Sequence, residues 1–239
     1  FFEEIKLLPI ADSYVNSKSP SANYGGTSEL KVDHMKETIS DLWSDGAGGI
    51  SLAYLKFDLS SIPEGAYNIE AQLGLYTGVV VSQTVNIIVV FCEDNDWSEL
   101  GITWSNRPSF EGEGFGCSNN ITKASTWYGF TINMEADSER EYKYNFVSRA
   151  LAKDEMTLVL GSDSEIYDSL FNFVSRDQKY SVLEDYRPFL ILRYDQTELS
   201  AEPSPSPEAK QGIPGFPLAS ILIGLLIAIF GLLINNRNI

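Results

Sequence analysis

Residues 51–59 read SLAYLKFDL, and this stretch decides the fold class because its side chains alternate with a period of two. Ala53, Leu55 and Phe57 fall on one side of an extended chain, and Tyr54 and Lys56 fall on the other. Successive side chains of a strand point to opposite faces of a sheet, so this alternation is typical of a β-strand. We therefore predict a strand here, with a separate role for each face.

Further strand patterns surround this one. After a turn at residues 62–65 (IPEG), residues 69–76 alternate again, and residues 84–92 are apolar on both faces, as in a central strand. Shorter candidates are residues 13–15, 30–32, 127–132, 156–160, 171–174 and 189–194. Short strands separated by Gly, Pro, Asn and Ser predict an all-β, jelly-roll-like antiparallel β-sandwich, because two sheets must bury their apolar faces against each other.

The C-terminal end has a different composition. A Ser/Pro/Glu-rich stretch follows the strands, and an uncharged apolar run begins at Leu218 and ends at Ile234. With the preceding proline, this run would reach about 27 Å as a helix, close to the thickness of a hydrocarbon core. We predict a sandwich domain at residues 1–195, a disordered linker at 196–212, and a transmembrane or sorting segment with a short inside tail at 213–239.

Charge and chain ends suggest a location. The net charge is −16, and the residues after Ser200 contribute nothing to it, so we expect the exposed domain to repel nucleic acid. The basic residue after the apolar run, Arg237, favours a single-pass membrane protein with its domain outside the cell. The chain starts without Met, which fits a removed secretion signal or a fragment.

Two cysteines and one glycosylation triplet matter if the domain is exported. Cys92 and Cys117 can either form a disulfide or remain buried free thiols. Asn120 begins the triplet Asn-Ile-Thr, which is an acceptor for N-glycosylation in exported proteins.

Several motifs carry a family resemblance. Residues 95–108 read NDWSELGITWSNRP, residues 173–177 read FVSRD, and residues 186–194 read YRPFLILRY. With ADSYV at 11–15 and LKFDLSSIP at 55–63, the chain resembles the DNRLRE or disaggregatase-related domain, classed as carbohydrate-binding module family 96. The resemblance implies a β-sandwich of surface and secreted proteins, with polysaccharide binding in some relatives and a structural or adhesive role in others.

The tail carries a second resemblance. Pro214, Gly215 and Phe216 stand just before the apolar run, as in archaeal C-terminal sorting signals, where a Pro-Gly-Phe motif precedes a membrane helix. The resemblance implies either a permanent membrane anchor or a segment that a sorting enzyme removes in exchange for a lipid.

Aromatic side chains in polar surroundings are candidates for sugar binding, because a pyranose stacks on an aromatic ring while nearby polar groups bind its hydroxyls. The candidates are Tyr24, Trp43, Trp127 and Tyr128. Packing within the fold is the alternative for each of them. Trp97 and Trp104 lie within a family motif, so we expect them to close the end of the sandwich.

Acidic residues could bind a structural Ca²⁺, which prefers carboxylate and carbonyl oxygens. The candidates are Asp12, Asp94 and Asp96, and a solvated acidic loop is the alternative. We expect no other cofactor.

We predict a membrane-anchored cell-surface protein that binds a polysaccharide or cell-envelope glycan without catalysis. The lone histidine, His34, and the lack of a nucleophile elbow or a phosphate loop argue against an enzyme. The alternatives are a structural or adhesive envelope protein and a polysaccharide-degrading enzyme, because two carboxylates suffice for glycoside hydrolysis.

Overall fold

The computed structural model describes residues 2–33, 50–78, 84–110, 117–132, 150–162, 171–178 and 186–196. These residues form eleven β-strands and a short 3₁₀ helix at Trp104–Asn106. The strands are β1 (Phe2–Leu7), β2 (Ala11–Asn16), β3 (Glu29–Val32), β4 (Ser51–Asp58), β5 (Ala66–Tyr76), β6 (Val85–Cys92), β7 (Cys117–Ile121), β8 (Trp127–Ile132), β9 (Glu155–Ser162), β10 (Phe171–Val174) and β11 (Phe189–Gln196).

The strands pair antiparallel in three sheets. A four-stranded sheet has the order β1-β11-β5-β8, a five-stranded sheet has the order β2-β4-β9-β6-β7, and β10 pairs with β3. Apart from the edge strand β2, the strand order of the two large sheets is that of a jelly roll. The prediction of an all-β sandwich of antiparallel sheets is confirmed.

The main core lies between the two large sheets. Leu73 of β5 and Leu190 of β11 meet Leu55 of β4 and Leu158 of β9 there, all of them fully buried. The alternation in β5 and β11 therefore places one set of side chains in the core and the other set on the outer face of the four-stranded sheet.

The outer face of the five-stranded sheet is buried as well. Residues 94–110, here called the covering segment, lay Trp97, Ile102 and Trp104 against a second apolar cluster that includes Tyr54. Trp97 packs edge-on against Tyr54 at 6.0 Å, and its indole N–H donates to Thr157 Oγ1 at 3.0 Å. The expectation that these tryptophans close the end of the sandwich was therefore wrong: they cover a face.

The predicted turn between β4 and β5 is present. Gly65 has a φ of +87°, and the N–H of Ala66 donates to the carbonyl of Pro63 at 3.2 Å. A backbone with positive φ favours glycine, which explains the residue type at this position.

The chain divides into two compact units, Phe1–Thr197 and Glu198–Ile239. The predicted linker, the Pro214-Gly215-Phe216 motif and the apolar run from Leu218 to Ile234 lie outside the described residues. Within the described ranges, no helix combines the length and the apolar character that crossing a bilayer requires.

Candidate functional site

The outer face of the four-stranded sheet carries four aromatic rings in mutual contact. Trp127 lies 5.4 Å from Tyr76, 5.1 Å from Phe189 and 6.3 Å from Tyr186, measured between ring centroids. Tyr76 and Tyr186 stack on each other at 4.0 Å. We call these four residues the aromatic cluster.

Strand register brings the rings of this cluster together. Tyr76 of β5 pairs directly with Trp127 of β8, and Phe189 of β11 pairs with Gly74 of β5. A Cβ at Gly74 would lie 2.3 Å from Cζ of Phe189, so the missing side chain leaves the space that the Phe189 ring occupies. The ring can therefore lie across β5 toward Trp127.

Trp127 has the most exposed ring of the cluster. Trp127 is 38% exposed as a residue, whereas the other three residues are half-buried. Tyr76 and Tyr186 cover each other, and the ammonium of Lys6 lies 4.2 Å from the centroid of the Phe189 ring. Trp127 is therefore the ring best placed to contact a ligand from solvent.

Polar groups lie beside the rings on the same outer face. Gln72 pairs with Thr131 and with Ile191, and Ile191 pairs with Lys6 of β1. This row of residues runs across the sheet next to the row formed by Phe189, Gly74 and Gly129. An aromatic surface bordered by an amide, a hydroxyl and an ammonium provides both stacking and hydrogen bonding.

The structure places the predicted sugar-binding residues in different surroundings. Tyr24 is half-buried and stacks on Tyr14 at 4.2 Å. The hydroxyl of Tyr128 accepts hydrogen bonds from the N–H groups of Thr122 and Lys123. Both rings thus have contacts within the fold and lie apart from the aromatic cluster, while Trp43 lies outside the described residues.

Sequence reasoning missed three members of the aromatic cluster, Tyr76, Tyr186 and Phe189. The period-two pattern of their strands was a signal for two of them, because Tyr76 and Phe189 fall on the outward-facing positions of β5 and β11. Their meeting depends on the β11-β5 pairing, which is not readable from either strand alone.

Three carboxylates meet elsewhere, at the end of β2. Asp12, Glu99 and Asp177 each place a carboxylate oxygen within 4.8 Å of the others, and we call them the carboxylate cluster. The guanidinium of Arg176 lies 3.4 Å from Glu99 and 3.8 Å from Asp177, measured from Nε, so it supplies positive charge at this point. The arrangement is an ion-pair network that joins β2, the covering segment and the residues after β10.

Asp12 is the buried member of this network, with 1% of its surface exposed. Its carboxylate accepts hydrogen bonds from Ser175 Oγ at 2.8 Å and from the N–H of Arg176 at 2.7 Å, and its own N–H donates to Glu99 at 2.9 Å. Burial raises the pKa of Asp12 to about 7, while the hydrogen bonds from Arg176 and Ser175 act to lower it.

The structure separates the predicted calcium ligands. Asp94 and Asp96 line an open depression of about 460 Å³ together with Asn95 and Lys153, whereas Asp12 lies in the carboxylate cluster. Asp94 Oδ1 accepts the backbone N–H of Asp96 at 2.8 Å, so the Asp94 carboxylate serves a local turn. Asp12, Asp94 and Asp96 therefore do not form one set of ligands, and a bound Ca²⁺ stays a prediction.

Cys92 is a buried free thiol, which is one of the two alternatives that the sequence left open. Strand register pairs Cys117 with Val89, three residues from Cys92 along β6. This offset separates the two Cα atoms by roughly 11 Å, beyond the reach of about 7 Å that a disulfide allows. The thiol instead contacts the carbonyls of Asp94 and Ser109, and burial raises its pKa to about 11.

Asn120 is exposed on β7, the edge strand of the five-stranded sheet, where it pairs with Asn86. Solvent exposure at an edge is compatible with the predicted glycosylation, which stays a prediction.

Two comparisons with known proteins bear on this geometry. No curated protein matches the chain. The family model described as carbohydrate-binding module family 96 matches residues 3–179, which include most strands of the sandwich and the carboxylate cluster. The chain belongs to carbohydrate-binding module family 96.

Proposed function

We propose that this protein binds a polysaccharide without catalysis, through the aromatic cluster on the outer face of the four-stranded sheet. The observation that carries the proposal is the exposed ring of Trp127, held among Tyr76, Tyr186 and Phe189 in a member of a carbohydrate-binding family. The apolar face of a pyranose stacks on such a ring, and the neighbouring rings of the cluster extend the aromatic surface.

The sheet supports binding because it holds the ring in place before a ligand arrives. Trp127 lies on β8, which pairs with β5 over six residues, and its ring contacts three other rings. A ring already fixed in its bound position loses little conformational entropy on binding. Gln72 and Thr131 on the same face supply groups that can hydrogen-bond sugar hydroxyls.

The carboxylates favour binding over hydrolysis. Asp12 is 1% exposed and its carboxylate is engaged by Ser175 and Arg176, so it holds strands together and does not face a substrate. A glycosidase needs two carboxylates on either side of an accessible sugar bond. The carboxylate cluster thus supports a structural role, and the family is one of binding modules.

The same proposal includes a location. The apolar run from Leu218 to Ile234, behind a Ser/Pro-rich linker and Pro214-Gly215-Phe216, supports a DNRLRE-type surface protein anchored through an archaeal sorting segment. Mass spectrometry of protein from the native membrane checks the anchor. An intact tail indicates a permanent helix, a tail cut near Pro214 indicates lipid exchange, and recovery of the protein only in the soluble fraction argues against either anchor.

Affinity gel electrophoresis with a panel of soluble polysaccharides tests the binding proposal. The full 239-residue chain, kept in mild detergent, is run with a glucan, a mannan, a xylan and a polyuronate. We expect at least one polymer to retard it, and Trp127→Ala to weaken that interaction at least tenfold, as for a central aromatic anchor. Tyr67→Ala, which removes an exposed aromatic side chain outside the cluster, is the matched control and should change affinity less than about twofold.

Three results would contradict the proposal. Equal affinity of the wild type and Trp127→Ala would remove the aromatic cluster as the site. Self-association without retardation by any polymer would favour the structural or adhesive alternative. Reducing ends released from a bound polymer would identify an enzyme.

A further inference from the structure

The side chain of Gln72 lies over a gap in the neighbouring strand. A Cβ built at Gly129 would lie 2.9 Å from Nε2 of Gln72 and 3.5 Å from its Cδ, so the amide occupies the place of a side chain at position 129. Gln72 pairs with Thr131, and Gly129 is two residues closer to Trp127 along β8. The amide therefore leans from β5 across β8 toward the Trp127 ring.

Register fixes how near this amide is to the ring. Gly129 and Trp127 are two positions apart on β8. Their side-chain positions therefore lie on the same outer face, about 7 Å from each other. A pyranose ring is of this size, so one sugar stacked on Trp127 would bring its hydroxyls to the amide.

The amide is available for such a contact. Gln72 is half-buried, and among the residues that the structure describes its side-chain amide makes no hydrogen bond, whereas its backbone belongs to the β5 ladder. An amide offers an acceptor oxygen and a donor NH₂, and can therefore bind two neighbouring hydroxyls of one sugar. Other polar groups of this face differ: the Lys6 ammonium lies over Phe189, and Thr131 offers a single short hydroxyl.

We infer that Gln72 and Trp127 form one sugar subsite in which Trp127 supplies stacking and Gln72 selects the hydroxyl pattern. Gly129 is the positioning residue, because its missing side chain admits the amide beside the ring. This inference rests on the proposed function and adds to it a determinant of specificity: a pyranose that presents a pair of adjacent hydroxyls next to its stacked face.

Four variants of the full chain test this inference on the same panel of a glucan, a mannan, a xylan and a polyuronate. They are Gln72→Ala, Gly129→Ala, the double variant, and Tyr67→Ala as the control outside the subsite. We expect each of the first two to weaken binding of the best polymer about 3- to 10-fold, as for one lost hydrogen-bonding group, and to change the ranking of the polymers. Tyr67→Ala, which removes an exposed ring outside the subsite, should keep the ranking.

The double variant separates positioning from general damage to the fold. If Gly129 acts through Gln72, Gly129→Ala should have no further effect once Gln72 is alanine. Independent, additive losses would overturn the role of Gly129. A left-handed backbone is not needed at Gly129, so alanine is compatible with the strand, and an unchanged urea midpoint checks the fold.

The Trp127→Ala variant distinguishes the proposed function from the inference about the Gln72 and Trp127 subsite. Loss of binding in Trp127→Ala, with unchanged affinity and ranking in Gln72→Ala, would overturn this inference and leave the proposed function standing. Unchanged binding in Trp127→Ala would remove both.

Discussion

The outer face of the five-stranded sheet is covered by residues 94–110, whereas the outer face of the four-stranded sheet presents the aromatic cluster to solvent. Both faces carry a tryptophan packed against a tyrosine, Trp97 on Tyr54 and Trp127 on Tyr76. The indole N–H of Trp97 donates to Thr157 in the interior, while Trp127 is 38% exposed as a residue. Similar aromatic pairs are thus buried on one face and partly exposed to solvent on the other.

Two lysines, Lys56 and Lys6, show the same difference between the covered face and the open face. On the covered face the Lys56 ammonium lies 5.0 Å from the Trp97 ring and donates to the carbonyls of Asn95 and Trp97. On the open face the Lys6 ammonium lies 4.2 Å from the Phe189 ring and is exposed. The location of each lysine, and not its residue type, decides whether it is bonded within the fold or exposed to solvent.

The largest expected effect comes from exchanging the two tryptophans for alanine. Trp97→Ala should lower the free energy of unfolding by about 3–5 kcal/mol, because it leaves a cavity over Tyr54 and breaks the bond to Thr157. Trp127→Ala should cost less than about 1.5 kcal/mol, because its ring is partly in solvent. Urea unfolding of both variants measures this, and equal losses would break the contrast between the faces.

Much of the fold could be predicted from the sequence, because period-two patterns survive wherever one strand face is buried. Nine of the eleven strands lie where alternation or apolar runs indicated them, among them Trp127–Ile132 and Phe171–Val174. Two strands were missed. β7 reads CSNNI, a composition typical of loops, and it becomes a strand because β6 offers an unpaired edge.

The candidate site was less predictable, because its residues are far apart in the chain. Trp127 was selected for its polar surroundings, but its partners Tyr76 and Phe189 come from β5 and β11. Asp12 was grouped with Asp94 and Asp96, and the structure places it with Glu99 and Asp177 instead. In both cases, pairing between distant strands decides the neighbours, and a local pattern carries no information about that pairing.

The carboxylate cluster gives the second prediction, because the buried Asp12 carboxylate accepts hydrogen bonds from Ser175 and from the N–H of Arg176 after β10. Its pKa is about 7 in the folded chain and near 4 when unfolded, so its contribution to stability is complete below pH 4 and disappears as the pH rises through 7. Between pH 4 and pH 8, the unfolding free energy of the wild type relative to Asp12→Asn should fall by up to about 4 kcal/mol.

Urea unfolding at several pH values measures this difference, and a difference independent of pH would contradict the role of Asp12. Glu4→Gln is the matched control on the open side, because Glu4 and Arg193 form an exposed pair with 2.7 Å between Oε2 and Nε. An exposed pair contributes less than about 1 kcal/mol, so this variant should follow the wild type.

The smallest expected effect is the difference in stability loss between variants of the two lysines. It tests the contrast between the covered face and the open face. Lys56→Met keeps the length of the side chain but leaves the carbonyls of Asn95 and Trp97 without their donor, which should cost about 1–3 kcal/mol. Lys6→Met removes an exposed ammonium from the Phe189 ring and should cost at most about 1 kcal/mol. If urea unfolding gave the larger loss for Lys6, the open face would itself be part of the stabilising core, and the exposed Trp127 ring would need a structural explanation in place of a ligand.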